Sequence, residues 1–213
     1  MQRSEFTRDE NWHGSFYELC IELGPVGNDA LATRALDLLW RRPELHGPWL
    51  DPADYDVDVE PINPSIREGT YYGCLTLPDG NEVGCTSYLI RIEGDSDWLE
   101  LCIPTGMFEL RYPFIYPLDR ATSPYLVQVD DLFARIAAAI YEEAPFQLGL
   151  IGEEASGASS AADLTTEECE RGGLLVPLSH WQKLAPTREV SMVTSDLVHV
   201  PLIGPHITFG DVR

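Results

Sequence analysis

Carboxylates offer the first candidate chemistry in this chain. Asp51, Asp54, Asp56, Asp58 and Glu60 fall within ten residues, and no Lys or Arg interrupts the chain between Arg42 and Arg67. In an extended segment, the alternation at 54, 56, 58 and 60 puts these side chains on one face. Oxygen-rich clusters of this kind hold hard cations such as Ca2+ or Mg2+. The EF-hand spacing nevertheless fails, because Val59 stands at the glycine turn and Ser65 at the bidentate glutamate. The patch is therefore assigned to a partner and not to a metal, and its plain alternative is a solvated acidic edge. Trp49 precedes it in Gly47-Pro48-Trp49-Leu50-Asp51. An aromatic beside carboxylates makes a hot spot for a basic partner. The same composition describes a loop anchored to the core by its tryptophan.

Two further constellations are weaker. Glu18 and Glu22 share one face of a strand and would form an acid/base pair if that face lined a cleft; the plain expectation is a solvent-facing side of an amphipathic strand. Cys85 or Cys102 could meet His199, with Asp196 orienting the imidazole, although a cysteine in an apolar strand is usually packing. No catalytic residue is assigned. The chain has no G-x-x-x-x-G-K-[ST], G-x-G-x-x-G, H-E-x-x-H or G-x-S-x-G motif, and no C-x-x-C pair. No cofactor is expected. Of the 14 basic residues only Lys183 is a lysine, which leaves one candidate for phosphate-cradling or Schiff-base work.

The elements that would position these groups follow from periodicity. Ser15 to Leu23 alternates as a strand, with Tyr17, Leu19, Ile21 and Leu23 facing the core. A helix starts at Asn28 or Asp29 and ends before Pro43. Residues 43–66 read as an extended, proline-rich stretch. Leu77-Pro78-Asp79-Gly80-Asn81 specifies a type I turn closing with a bulge, which sets Leu75 opposite Val83 and Cys74 opposite Gly84. With a third strand at Trp98 to Ile103, this makes an antiparallel meander. Residues 104–125 read as an aromatic loop that includes Phe108, Tyr112, Phe114, Tyr116 and Tyr125. A second helix runs from about Val129 to Ala144, and a strand from Phe146 to Ile151. Residues 152–163, GEEASGASSAAD, read as a flexible loop, followed by a short acidic helix near Thr165 and strands near 174–178 and 197–202. The fold class expected is α+β: an antiparallel or mixed sheet containing a three-stranded meander, with two main helices packed on one face. Residues 1–14 are expected as a flexible lead-in and 15–213 as a single domain.

Charge narrows the function classes. A net charge of −21 and a pI near 4.3 repel nucleic-acid phosphates and anionic membrane surfaces and attract basic partners. A second basic-free stretch, Arg135 to Arg171, carries Glu142, Glu143, Glu153, Glu154, Asp163, Glu167, Glu168 and Glu170. Five cysteines without a pairing pattern and a polar N-terminus give the expectation of a reduced, cytoplasmic protein. The resulting expectation is a non-catalytic acidic domain that binds a basic protein, as immunity- or inhibitor-type proteins do. The alternatives are a small enzyme with a carboxylate or Cys/His site, and a homo-oligomeric scaffold.

Overall fold

The alternation in FYELCIEL builds a ten-residue strand, β1 (Phe16–Pro25), whose odd-numbered side chains enter the main core. In chain order the elements are α1 (Arg3–Phe6), β1, α2 (Asp29–Trp40), β2 (Leu45–Trp49), β3 (Tyr71–Thr76), β4 (Glu82–Arg91), β5 (Ser96–Pro104), α3 (Thr105–Glu109), α4 (Leu126–Tyr141), β6 (Leu148–Glu153), α5 (Thr166–Arg171), β7 (Leu174–Pro177), α6 (Leu178–Leu184), β8 (Ser191–Met192) and β9 (Leu197–Val200). This computed structural model describes residues 1–55, 59–66, 69–113, 115, 118, 120, 122–188 and 190–202. Asp56, Asp58, Arg67, Phe114, Tyr116 and His206 lie outside the described residues.

The strands form one nine-stranded sheet in the order β2-β3-β4-β5-β1-β6-β7-β9-β8, with every pairing antiparallel. The class is thus α+β, but the sheet is much larger than a three-stranded meander. The turn at 77–81 sets the expected register, Leu75 opposite Val83 and Cys74 opposite Gly84. Its backbone closes through Leu77 N–H to Asn81 C=O at 2.7 Å, with Gly80 at φ 85°, a conformation that glycine reaches without strain. Cys74 and Cys85 fall in different core clusters, and all five cysteines are free and buried.

One strand escapes the periodicity argument. β2 carries Pro48, which cannot donate to a ladder, and it falls within residues 43–66, which read as an extended, proline-rich stretch with no assigned strand. β2 lies at the edge of the sheet and pairs only with β3 among the described residues, where proline costs no sheet hydrogen bond.

On one face, α2 and α4 contribute Leu36, Leu39, Leu132, Phe133, Ile136 and Ile140 to a core shared with Tyr17, Leu19 and Ile21. Asn28 caps α2, its side chain accepting from Leu31 N–H at 3.2 Å. The opposite face of β1, β6, β7 and β9 is not solvated. Cys20, Leu148, Leu150, Leu174 and Val200 pack there under Ala155, Ala161, Leu164, Cys169 and Trp181, so segment 155–164 with α5 and α6 forms a third layer. Within residues 1–14, Phe6 packs inward: it is fully buried and stacks on Tyr55 with ring centroids 4.3 Å apart. No helix among the described residues is long and apolar enough to cross a membrane.

α4 also buries a charge. Asp130 accepts a short hydrogen bond from the Tyr17 hydroxyl, and Arg120 approaches its other oxygen at 3.4 Å. Burial pushes the Asp130 carboxyl up to about 6, against the pull of Tyr17 and Arg120. The folded chain therefore keeps a proton that the unfolded chain, titrating near 3.8, has released. The stability this proton contributes is full below about pH 4 and is lost as pH rises through about 6. At 1.36 kcal/mol per unit, the swing is about 2–3 kcal/mol. Urea unfolding from pH 4 to pH 7.5 should show a flatter stability profile in Asp130→Asn than in the parent; parallel profiles would refute the assignment.

Candidate functional site

The second face of β1 collects the site. The ladder sets Cys102 between Thr86 and Glu18, Glu100 between Tyr88 and Cys20, and Trp98 between Ile90 and Glu22. Period two then puts Glu18, Cys20 and Glu22 on the same face as Trp98, Glu100 and Cys102. This is the face expected to meet solvent, yet Glu18, Glu22 and Glu100 are 2%, 3% and 1% exposed. The solvent-facing expectation for Glu18 and Glu22 is overturned.

Segment 152–163, expected as a flexible loop, covers them. Glu18 accepts the Ser156 N–H at 2.9 Å, and Glu100 accepts the Ser156 hydroxyl at 2.5 Å. Glu22 accepts the Ala161 N–H at 2.6 Å and the Ser96 hydroxyl at 2.7 Å. A small, polar segment has donors to spare and no bulky side chains, so its backbone can lie close over a row of buried acceptors.

Desolvation dominates the electrostatics. Burial pushes Glu18 up to about 7; the Ser156 N–H lowers it, while Glu100 and Glu154 raise it further. Burial, followed by Glu18 and Glu100, raises the Cys102 thiol well above its ordinary value. The Tyr88 phenol rises through burial and then through Cys102 and Glu100. Cys102 Sγ lies 3.7 Å from Glu18 Oε1, 3.9 Å from Glu100 Oε2 and 3.6 Å from the Tyr88 hydroxyl. The cluster is thus a compact set of buried carboxylates and thiols.

Above it opens a cleft of about 700 Å³. Ile90, Ile92 and Trp98 give it an apolar floor, and Glu100 and Ser156 connect it to the buried cluster. Asp95, Glu100, Asp163, Glu167 and Glu168 line it with carboxylates, against the single described base Arg171. The wall is held by a capping box at the start of α5, in which Glu168 accepts from Thr165 N–H at 2.8 Å and from its hydroxyl at 2.6 Å. On the opposite face of the same strands, Arg91 pairs with both oxygens of buried Asp97 at 2.9 and 3.1 Å.

The residues expected to meet a partner lie elsewhere. Trp49 is 1% exposed and packs against Phe6, His46 and Tyr55, so it anchors β2 and presents no free surface. Asp51, Asp54 and Glu60 are exposed; Asp51 caps the turn Pro52–Asp54 by accepting from Ala53 N–H at 2.7 Å. Asp56 and Asp58 lie outside the described residues. The Cys/His pairing does not form. His199 on β9 is separated from Cys102 on β5 by β1, β6 and β7, roughly 19 Å at the usual strand spacing, and Cys85 sits one strand further still.

Sequence reasoning missed Glu100, Ser156 and the cleft-lining Asp163, Glu167 and Glu168 as a group. A signal for part of it existed. Glu18, Cys20 and Glu22 alternate on one strand, and Trp98, Glu100 and Cys102 alternate on another. No protein-family model, curated protein or solved structure matches this chain, so its own residues and their geometry are the sole ground for a function.

Proposed function

We propose that the protein is a non-catalytic acidic binding domain, of the immunity or inhibitor type, that seats a basic segment of a protein partner in the cleft over β4 and β5. The observation that carries this reading is the cleft itself: five carboxylates, Asp95, Glu100, Asp163, Glu167 and Glu168, above an apolar floor of Ile90, Ile92 and Trp98. A Lys or Arg head would meet the carboxylate rim while its methylene stem or an apolar neighbour covers the floor. The net charge of −21 would steer such a partner toward the chain from a distance. The reading shifts the seat from Trp49 and the 51–60 edge to the second basic-free stretch, which supplies Asp163, Glu167 and Glu168.

The test uses an alternating Arg/Leu peptide and the intrinsic tryptophan fluorescence, to which Trp98 of the cleft contributes. Two double variants with equal change in net charge are compared, Asp163→Lys with Glu167→Lys, and Asp51→Lys with Asp54→Lys. All four positions are exposed, so the fold should survive. The first pair should weaken binding by about tenfold or more at low salt, roughly 1.4 kcal/mol, and the second much less. Equal losses would show that only net charge matters and would remove the cleft as the seat. Affinity that does not fall with added salt would reject electrostatic recognition altogether.

A further inference from the structure

The buried cluster beneath the cleft has its own chemistry. Glu18, Glu100 and Cys102 each offer one ligand atom, and these atoms lie within 4.8 Å of one another. Their backbone is fixed by the central ladder: Glu18 and Cys102 are direct partners, and Glu100 is two residues along the same strand. Each carboxylate meets only neutral donors among the described residues. Glu18 has the Ser156 N–H and the thiols of Cys20 and Cys102, and Glu100 has the Ser156 hydroxyl and the Cys102 thiol. Carboxylates taken out of water are normally neutralised by a proton, a basic side chain or a metal. Here, as at buried Glu22, no basic side chain is supplied among the described residues, whereas the buried aspartates Asp97 and Asp130 each have an arginine.

We propose that Glu18, Glu100 and Cys102 bind a single divalent transition ion, Zn2+, reached from the acidic cleft. Two carboxylate oxygens and one thiolate are too soft a set for Ca2+ or Mg2+, which take oxygen alone. Zn2+ accepts mixed oxygen and sulfur donors at about 2.0–2.3 Å in tetrahedral geometry, so the three side chains close by roughly 1 Å around it. Binding releases the Cys102 thiol proton and any proton shared by the carboxylates to solvent. The fourth position would be taken by water admitted from the cleft. Glu100 and Ser156 line both the cleft and the cluster, so the ion would enter from the cleft by displacing the Ser156 hydroxyl. The cleft's carboxylate rim would concentrate cations at that mouth.

The full chain, stripped with chelator under reducing conditions, is titrated with Zn2+ by calorimetry and with Co2+ by absorption. One equivalent should bind with Kd at or below about 1 μM. The Co2+ form should show a thiolate-to-metal charge-transfer band together with tetrahedral ligand-field bands. Glu100→Gln, which keeps an acceptor for Ser156, should weaken Zn2+ at least tenfold. Cys102→Ser should abolish the charge-transfer band. No stoichiometric binding at ~100 μM Zn2+ would overturn the proposal. So would Zn2+ affinity unchanged in Glu100→Gln, or a Co2+ spectrum without the thiolate band, since either places the ion on exposed carboxylates. The peptide titration proposed for the cleft is run on chelated protein, so the failure of one reading leaves the other standing.

Discussion

Replacing Trp49 by alanine should lower the free energy of unfolding by about 3–5 kcal/mol, a large share of the 5–15 kcal/mol typical of a folded chain. The ring is 1% exposed and makes edge contacts with Phe6, His46 and Tyr55, at centroid distances of 6.1, 4.9 and 5.1 Å. It holds together three segments that share no regular ladder: α1, β2 and the turn at Pro52–Asp54. Its removal leaves a cavity that Phe6 and Tyr55, already stacked on each other, cannot close without losing their own contacts. Trp49→Phe should cost much less, about 1–2 kcal/mol. The indole N–H has no hydrogen-bond partner among the described residues, so the substitution removes a buried donor unsatisfied there along with the ring area. Asp54→Ser and Glu60→Ser, both at exposed positions, should stay within about 0.5 kcal/mol. Urea midpoints separate the three classes. If Trp49→Ala shifts the midpoint no more than Asp54→Ser, the anchoring role is wrong.

Glu22→Ala should release the wall of the cleft. One carboxylate oxygen accepts the Ser96 hydroxyl and the other the Ala161 N–H, 139 residues away along the chain. Both donors are buried or nearly so, with Ser96 at 9% and Ala161 at 8% exposure. Left unpaired, they cost about 1–3 kcal/mol each, and the cheapest relief is for segment 154–163 to lift and take water as its partner. Local opening should become easier by about 2 kcal/mol, which is roughly a thirtyfold rise in native-state cleavage by a protease specific for small residues. Glu22→Gln retains one acceptor oxygen and should show a much smaller rise. The peptide affinity of the cleft should fall in parallel with cleavage, because Asp163 and Glu168 are carried by the same segment and the helix after it. Cleavage within 154–163 at the parent rate in Glu22→Ala would show that the carboxylate does not hold the wall.

Much of the framework was legible in the residues alone. Alternation placed Tyr17, Leu19 and Ile21 toward the helices. The Pro-Asp-Gly turn set the register of β3 on β4 to the residue, because a turn of defined type leaves only one way for the flanking strands to pair. Asn28 marked the start of α2 through its own hydrogen bond. Each of these features is local: the interacting groups are a few residues apart, so their types and spacing are enough.

The opening chemistry fared differently. The acidic residues at 51–60 are the densest run in the sequence, yet Trp49 beside them turns inward. The carboxylates that share a cavity are instead Asp95, Glu100, Asp163, Glu167 and Glu168, drawn from segments far apart in the chain. Glu18 and Glu22 looked like a wet strand face because period two records only which residues share a side, not what covers that side. The cover is segment 154–163, and its bonds to Glu18 and Glu22 span 138 and 139 residues. The sign of the charge, the α+β class and the strand faces follow from residue types and their local order. Which carboxylates are desolvated depends on contacts between segments far apart in the chain. Burial of a polar group is a property of the segment packed upon it, and here that segment carries no periodicity of its own.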